Sequence, residues 1–196
     1  TDRRVVEVER GTSLGDVVLA AAPPALSSPA AVLLGGYGGT WAGWPAAADL
    51  PVAEPAFRAA GLALGAGVVG LLGPGACGVA TTAAIADYLA SMSARQCGPC
   101  FYGLPALAAA MSALAAGSAR GRDMRRLEAD LDAIKSRGAC RHPDGAVRLV
   151  ASALDVFADD VAAHLARRPC ASAGRSDLPV PVPATSSLRR VSAVAR

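Results

Sequence analysis

The sequence predicts an α+β protein, in which a small mixed domain at residues 1–75 is followed by an antiparallel four-helix bundle at residues 76–170. Apolar residues up to position 72 come in short runs or alternate with polar ones, as in strands, whereas from Cys77 onward they recur with a helical period. Apolar residues make up 53% of the chain and aromatic residues only 4%. A core filled largely by alanine, valine and leucine favours closely packed helices.

The first 75 residues contain three predicted strands and one helix. Residues 6–9 alternate between valine and glutamate, which predicts a half-buried strand. Ser13 is placed to cap a short helix, with an acidic residue three positions later as in a capping box. Residues 31–34 and 68–72 predict buried strands, and the glycine-rich residues 35–41 predict a turn rather than a phosphate-binding loop, because no helix start follows them.

Four helices are predicted between residues 77 and 165, the third and fourth capped by Asp123 and Asp144. Short loops between them favour an antiparallel bundle. Their inward faces comprise Ile85, Tyr88, Leu89 and Met92; Leu107, Met111 and Leu114; Met124, Leu127, Leu131 and Ile134; and Val147, Val150, Leu154, Phe157, Val161 and Leu165. Residues 171–196 are rich in proline, serine and arginine, so they are predicted to be a disordered tail or linker.

Several function classes are excluded by charge and hydropathy. A net charge of +3 does not indicate a nucleic-acid partner. The 28-residue uncharged run at residues 59–86 is divided by a Gly-Pro-Gly turn, so no membrane span is predicted. No signal peptide is recognisable, which predicts a cytoplasmic protein. The chain opens on a strand pattern without methionine, and we therefore expect it to be part of a longer protein.

Three of the five cysteines are predicted to come together. Cys97 and Cys100 lie in the loop between the first two bundle helices, and Cys140 lies in the loop between the last two. Two helices that run out and back return the chain to the same end of a bundle, so the three thiols can converge. Cysteine thiolates are the usual ligands of iron–sulfur clusters.

Other interpretations of these cysteines remain open at this point. Cys-Gly-Pro-Cys is also the thioredoxin active-site pattern, although here it follows a helix rather than a strand and Gln96 replaces the usual tryptophan. A zinc site and inert cysteines are further alternatives. His164 is expected to be a solvated residue at a helix end. No residue can be assigned as a catalytic acid or base.

The cysteine segments resemble a known family. Residues 93–103, Ser-Ala-Arg-Gln-Cys-Gly-Pro-Cys-Phe-Tyr-Gly, resemble the Ser-Cys-Gly-x-Cys-x-Pro-Cys-x-x-Gly segment of the flavin-carrying, NADH-oxidising subunit of respiratory complex I and its hydrogenase and formate dehydrogenase relatives. Residues 140–144 match the family's later Cys-x-x-x-Asp. Residues 64–70 are similar to its Gly-Ser-Gly-Ala-Val strand, and residues 5–12 to the opening of its soluble ligand-binding β-grasp (SLBB) domain. Residues 1–75 would then be that β-grasp domain.

The resemblance implies an iron–sulfur cluster bound by Cys97, Cys100 and Cys140. Ala94 stands where the family has its first cluster cysteine. The resemblance therefore implies either a 4Fe–4S cluster with another fourth ligand, for which Cys170 and His142 are candidates, or a 3Fe–4S cluster. Cys77 aligns with a family cysteine outside the ligand set, so the resemblance implies that it packs in the core.

The resemblance also implies a place in a larger NADH dehydrogenase-like oxidoreductase. In the family, FMN and NADH bind to a domain that would precede Thr1, so this chain alone is not expected to oxidise NADH. That flavin domain and an acceptor such as a ferredoxin are the expected partners. The alternatives are a binding or scaffold module without a cluster, and a dithiol oxidoreductase that uses Cys97 and Cys100.

Overall fold

The computed structural model describes residues 4–168, residue 170 and residues 178–181. The predicted α+β class is confirmed: within these residues, a small antiparallel sheet packs with seven α-helices. None of the described helices combines the length and the apolar character that a bilayer span requires.

The sheet has three strands in the order β2-β1-β3, with β1 in the centre and both pairs antiparallel. The strands are β1 (Ala31–Leu34), β2 (Thr40–Gly43) and β3 (Val69–Leu72). The glycine-rich segment forms the hairpin turn between β1 and β2, as predicted, and Leu34 pairs with Thr40 at its base.

Both faces of β1 are covered, because its side chains alternate between two cores. Val32 and Leu34 pack with Leu14 of α1 (Leu14–Ala21) and Phe57 of α2 (Glu54–Ala59). The other two strand residues, Ala31 and Leu33, belong to the larger core of the helical bundle. Ser13 caps α1 as predicted: its Oγ accepts a hydrogen bond from the backbone N–H of Asp16 at 3.0 Å.

Five helices form the bundle within the described residues. The loop after α3 leads through a π-helical turn, Pro99–Gly103, directly into α4. The helices are α3 (Gly78–Ser91), α4 (Leu104–Ala115), α5 (Gly121–Ile134), α6 (His142–Val156) and α7 (Ala158–Leu165).

The predicted fourth helix is thus two helices that meet at Phe157. This residue leaves helical geometry (φ −108°, ψ 33°) and turns its ring inward, where it packs edge-on against Trp41 with ring centroids 5.1 Å apart. Asp159 and Asp160, in the first turn after Phe157, are acidic and favour a new helix N-terminus. The prediction of a four-helix bundle was wrong in this respect.

Two local predictions were also wrong. Residues 6–9 do not form a strand, and Val5 and Val6 are exposed because no described strand lies beside them. Asp123 is not the capping residue of α5 but lies in its first turn, where its carboxylate accepts the backbone N–H of Arg120 at 2.8 Å. Asp144 likewise lies inside the first turn of α6.

Most of the predicted tail lies outside the described residues. Of residues 171–196, only 178–181 are described, and these lie against the folded chain. Tyr37 Oη donates a hydrogen bond to the carbonyl oxygen of Pro179 at 2.7 Å, and Leu178 packs against the bundle core.

Candidate functional site

The structure brings Cys97, Cys100 and Cys140 to one end of the bundle, just beyond the C-terminus of α3. Cys97 lies in the loop before the π-helical turn, Cys100 lies in that turn, and Cys140 lies two residues before α6. The backbone N–H of Ala139, in the Cys140 loop, is a hydrogen-bond donor to the Cys97 thiol, and Cys140 is close enough to Cys100 for the two charges to interact. The two cysteine loops therefore meet.

The thiols of Cys97 and Cys100 have opposite acidities. Hydrogen bonds from the backbone N–H groups of Ala139 and Cys100 lower the pKa of Cys97 below its ordinary value. Burial, followed by the interaction with Cys97, raises the pKa of Cys100 to about 11. Cys97 is therefore the thiol that its surroundings favour as a thiolate.

The backbone between α3 and Cys97 keeps a conformation that normally favours glycine. Arg95 stands at the glycine position of the Ser-Cys-Gly-x-Cys pattern and has φ 53°, in the left-handed region. This conformation directs its backbone N–H to the Cys100 thiol. Gly103, at the end of the same segment, has no room for a side chain, because a Cβ atom there would lie 2.6 Å from Cγ1 of Ile134.

Polar side chains at the start of α6 hold the Cys140 loop against its neighbours. The Nε2 atom of His142 is 2.9 Å from the carbonyl oxygen of Leu89 in α3. Asp144 accepts a hydrogen bond from the backbone N–H of Ser136 at 2.7 Å, and Arg141 approaches the same carboxylate at 3.3 Å. These hydrogen bonds lower the pKa of Asp144.

The structure does not bring Cys170 to this end of the bundle. Cys170 lies at the opposite end of α3, where its thiol and a ring nitrogen of His164 are within 4.8 Å of each other and of the Cys77 thiol. Cys77 is fully buried in the core, as expected. His164 was expected to be solvated, but it is completely buried, and the Cys77 sulfur lies 3.5 Å from its Nε2.

Sequence reasoning missed this second cluster. A signal was present, since Cys77 precedes a helix start and His164 and Cys170 lie close together in the sequence. However, 87 residues separate Cys77 from His164, and the contact depends on how α3 and α7 pack.

Comparisons with known proteins give a match to one family model and to solved structures. Residues 80–164, less than half of the chain, match the model of the NADH-ubiquinone oxidoreductase-F iron-sulfur binding region. No curated protein sequence matches the chain.

Two solved structures of an NAD+-reducing NiFe-hydrogenase share the fold, and both are 28% identical in sequence. The H2-reduced form has a TM-score of 0.71 and the air-oxidized form 0.70. In both cases the match covers 80% of this chain and 26% of the hydrogenase chain, so this sequence spans about a quarter of the chain that it resembles.

The cofactor of an iron–sulfur binding region is an iron–sulfur cluster. The chain supplies cysteine sulfur atoms of the right kind for three of its ligands. Cys97, Cys100 and Cys140 lie within the matched residues, whereas Cys77 and Cys170 lie outside them. Ala94 has no donor atom in its side chain and is exposed.

Proposed function

We propose that Cys97, Cys100 and Cys140 hold an iron–sulfur cluster and that the chain is an electron-transfer module of an NADH dehydrogenase-like flavoprotein. The observation that carries this proposal is the meeting of the two cysteine loops within the region that matches the iron–sulfur family. An iron–sulfur cluster, when bound, supplies reversible one-electron oxidation and reduction.

The role proposed for the protein is to hold and tune the thiolates. Backbone N–H groups that hydrogen-bond to a ligating sulfur stabilise its negative charge and are among the factors that set a cluster's reduction potential. Ala139 and Cys100 supply such groups to Cys97, and Arg95 supplies one to Cys100. The packing of Gly103 against Ile134 fixes the turn that carries Cys100.

The fourth ligand is not one of the chain's remaining cysteines in this proposal. Cys170 and Cys77 are separated from the cysteine loops by α3, whose 14 residues span about 21 Å. His142 is near, but its Nε2 is engaged with Leu89. A cluster with three cysteine ligands, either three-iron or four-iron with a solvent or imidazole ligand at the exposed corner, fits this arrangement.

We place this module between a flavin and an acceptor. The flavin and the NADH site would lie on another part of the same protein, consistent with a chain that spans 26% of the hydrogenase chain. An acceptor such as a ferredoxin would take the electrons. In this proposal the chain does not oxidise NADH without the flavin domain.

A dithiol oxidoreductase is the second candidate, and one observation favours it. The first thiol of Cys-Gly-Pro-Cys has a lowered pKa and the second a raised one, which is the division of roles that thiol–disulfide exchange requires. In that case Cys140 would be dispensable.

Anaerobic reconstitution tests the proposal. We expect the wild-type chain to retain about three to four iron atoms with matching sulfide and to show broad visible absorption that bleaches on reduction. Cys140→Ser should lose the iron and the colour. Cys170→Ser is the matched control, because its thiol is at the other end of α3, and it should retain both.

The outcomes separate the candidates. A folded, colourless wild-type chain without iron after reconstitution contradicts the electron-transfer proposal. If Cys140→Ser then retains thiol–disulfide exchange activity that Cys97→Ser abolishes, the chain is a dithiol oxidoreductase. If neither iron nor exchange activity is found and partner binding survives in both variants, the chain is a scaffold module.

A further inference from the structure

Cys77, His164 and Cys170 form a compact cluster of ligand atoms, here called the second cysteine cluster. Their two sulfur atoms and one imidazole nitrogen all lie within 4.8 Å of one another, and no other three metal-ligating side chains among the described residues are so close together. Cys77 is the residue before α3, His164 is in the last turn of α7, and Cys170 follows α7.

The geometry of the cluster matches the ligand spacing around a single tetrahedral metal ion. The Cys77 sulfur is 3.5 Å from Nε2 of His164. Two ligands at the usual zinc–sulfur and zinc–nitrogen distances, separated by a tetrahedral angle, are about 3.6 Å apart. The Cys170 sulfur lies within 4.8 Å of both atoms and supplies the third donor.

Burial keeps Cys77 and His164 away from bulk water, since both are completely buried. The Cys77 thiol accepts the backbone N–H of Ala80 at 3.3 Å, and Nε2 of His164 faces the same sulfur. Both thiols converge on one imidazole. A divalent cation would replace the thiol protons and neutralise the buried thiolates.

We propose that Cys77, His164 and Cys170 bind a thiophilic divalent cation, Zn²⁺ being the typical case, at a structural site that ties the chain after α7 to the start of α3. Two sulfurs and an imidazole nitrogen are the donors that zinc prefers. This inference does not depend on the iron–sulfur proposal, because it uses other residues at the opposite end of α3.

Asp160 is the residue best placed to complete the tetrahedron. It lies four residues before His164 on α7, and therefore on the same helix face. Asp160 and Cys170 both line an open cavity beside the cluster, and the Asp160 charge acts on Cys77. Either its carboxylate or a water molecule from the cavity can be the fourth ligand.

The second cysteine cluster is distinct from the family's own site. Cys77 and Cys170 lie outside the matched residues 80–164. The ligands of an iron–sulfur cluster bind different iron atoms and stand further apart than those of one ion. The competing possibility is a disulfide between Cys77 and Cys170.

Zinc analysis of a chain in which Cys97, Cys100 and Cys140 are all changed to serine tests the proposal, since zinc cannot then occupy the iron–sulfur site. We expect about one zinc per chain after dialysis. Adding Cys170→Ser should weaken zinc binding about 100-fold or more in competition with a chromophoric chelator. Cobalt substitution should give a thiolate-to-metal absorption band that the same change removes.

His164→Gln provides a second test for the case in which a cysteine change disturbs folding, which circular dichroism reports. It should also weaken zinc binding about 100-fold or more. The proposal is overturned by a folded triple-serine chain without zinc, by equal zinc binding after Cys170→Ser and His164→Gln, or by a Cys77–Cys170 disulfide in protein purified anaerobically with zinc. A wild-type chain that binds no iron would not change these zinc results. The zinc proposal and the iron–sulfur proposal can therefore be overturned independently.

Discussion

The two ends of α3 carry the same type of side chain in opposite surroundings. At the C-terminal end, Cys97 lies partly exposed and receives hydrogen bonds from backbone N–H groups, and its pKa is lowered. At the N-terminal end, Cys77 is fully buried, and burial raises its pKa to about 11. At Cys97 two backbone N–H donors outweigh the effect of burial, whereas at Cys77 burial outweighs the effect of the backbone N–H of Ala80.

This difference shows that the presence of a cysteine does not by itself specify its chemistry. The Cys97 end is built from loops and a π-helical turn, whose N–H groups are free to point at sulfur because they are not all used within a helix. At the other end, Cys77 lies just before α3 and Cys170 follows α7, and the Cys77 thiol accepts the backbone N–H of Ala80 at 3.3 Å. Surroundings rather than sequence spacing decide what each thiol can do.

Alkylation of the metal-free chain gives the largest expected contrast. Iodoacetamide should modify Cys97 at neutral pH at least about 100-fold faster than Cys77, because Cys97 is more acidic and partly exposed whereas Cys77 is protonated and buried. Mass spectrometry of digested samples over time measures both rates. The Cys97 rate should reach half its maximum below the pH that is usual for a free thiol. If iodoacetamide modifies Cys97 and Cys77 at equal rates in the presence of a metal chelator, the comparison is wrong.

Gly78→Ala should strongly destabilise the packing at the N-terminal end of α3. A Cβ atom at this position would lie 2.5 Å from Cδ1 of Phe157, whose ring is held between Gly78 and Trp41. The ring cannot move without disturbing the bundle core, so we expect a loss of about 3 kcal/mol in the free energy of unfolding in urea. Gly75→Ala is the control, since nothing lies within 4 Å of its Cβ position. A similar loss in the control would show that packing against Phe157 is not the cause.

Gly103→Ala is the matching change at the cysteine-loop end, with a smaller expected effect. Its Cβ would meet Cγ1 and Cδ1 of Ile134, the outer atoms of a side chain that can adjust. We expect a loss of about 2 kcal/mol in unfolding free energy, together with weaker iron retention. Gly98→Ala, two residues before Cys100, has open space around its Cβ position and should be neutral or slightly stabilising.

Asp144→Asn should have the smallest effect, and that effect should depend on pH. The folded state lowers the pKa of Asp144 from its ordinary value of 3.8, so its charge stabilises the fold at neutral pH. We expect the variant to lose about 1 kcal/mol at pH 7, after allowance for solvent screening. The difference from the wild type should disappear as the pH falls through the pKa of the folded state. Denaturant unfolding at several pH values measures it, and a difference that persists in acid would contradict the assignment.

Local signals in the sequence were sufficient for much of the fold. The capping pattern at Ser13 predicted the start of α1, and the apolar run at Ala31–Leu34 predicted β1. Both predictions are confirmed. Leu107, Met111 and Leu114 are all buried on the predicted face of α4. These features depend on neighbours within a few residues, and short-range patterns encode them.

The features that were missed depend on distant contacts. The apolar period runs through Phe157 without glycine or proline, so the break between α6 and α7 becomes visible only when the ring packs on Trp41. Val6 lacks the partner strand that its alternating pattern anticipated. His164 is buried by Cys77, which belongs to another part of the chain.

The convergence of the cysteine loops was predicted from topology, but the detailed site was not. Counting helices placed Cys97 and Cys140 at one end of the bundle. The N–H groups that act on Cys97 and Cys100 come from Ala139 and Arg95, whose sequence identities carry no sign of that role. Backbone donors of this kind are specified by conformation and are invisible to a motif.

The central strand β1 serves two interiors at once, since Val32 faces the N-terminal helices and Leu33 faces the bundle. Removing either half of the protein would uncover one face of this strand and expose its apolar side chains to water. We consequently expect the N-terminal elements and the cysteine-bearing helices to unfold together as one cooperative unit.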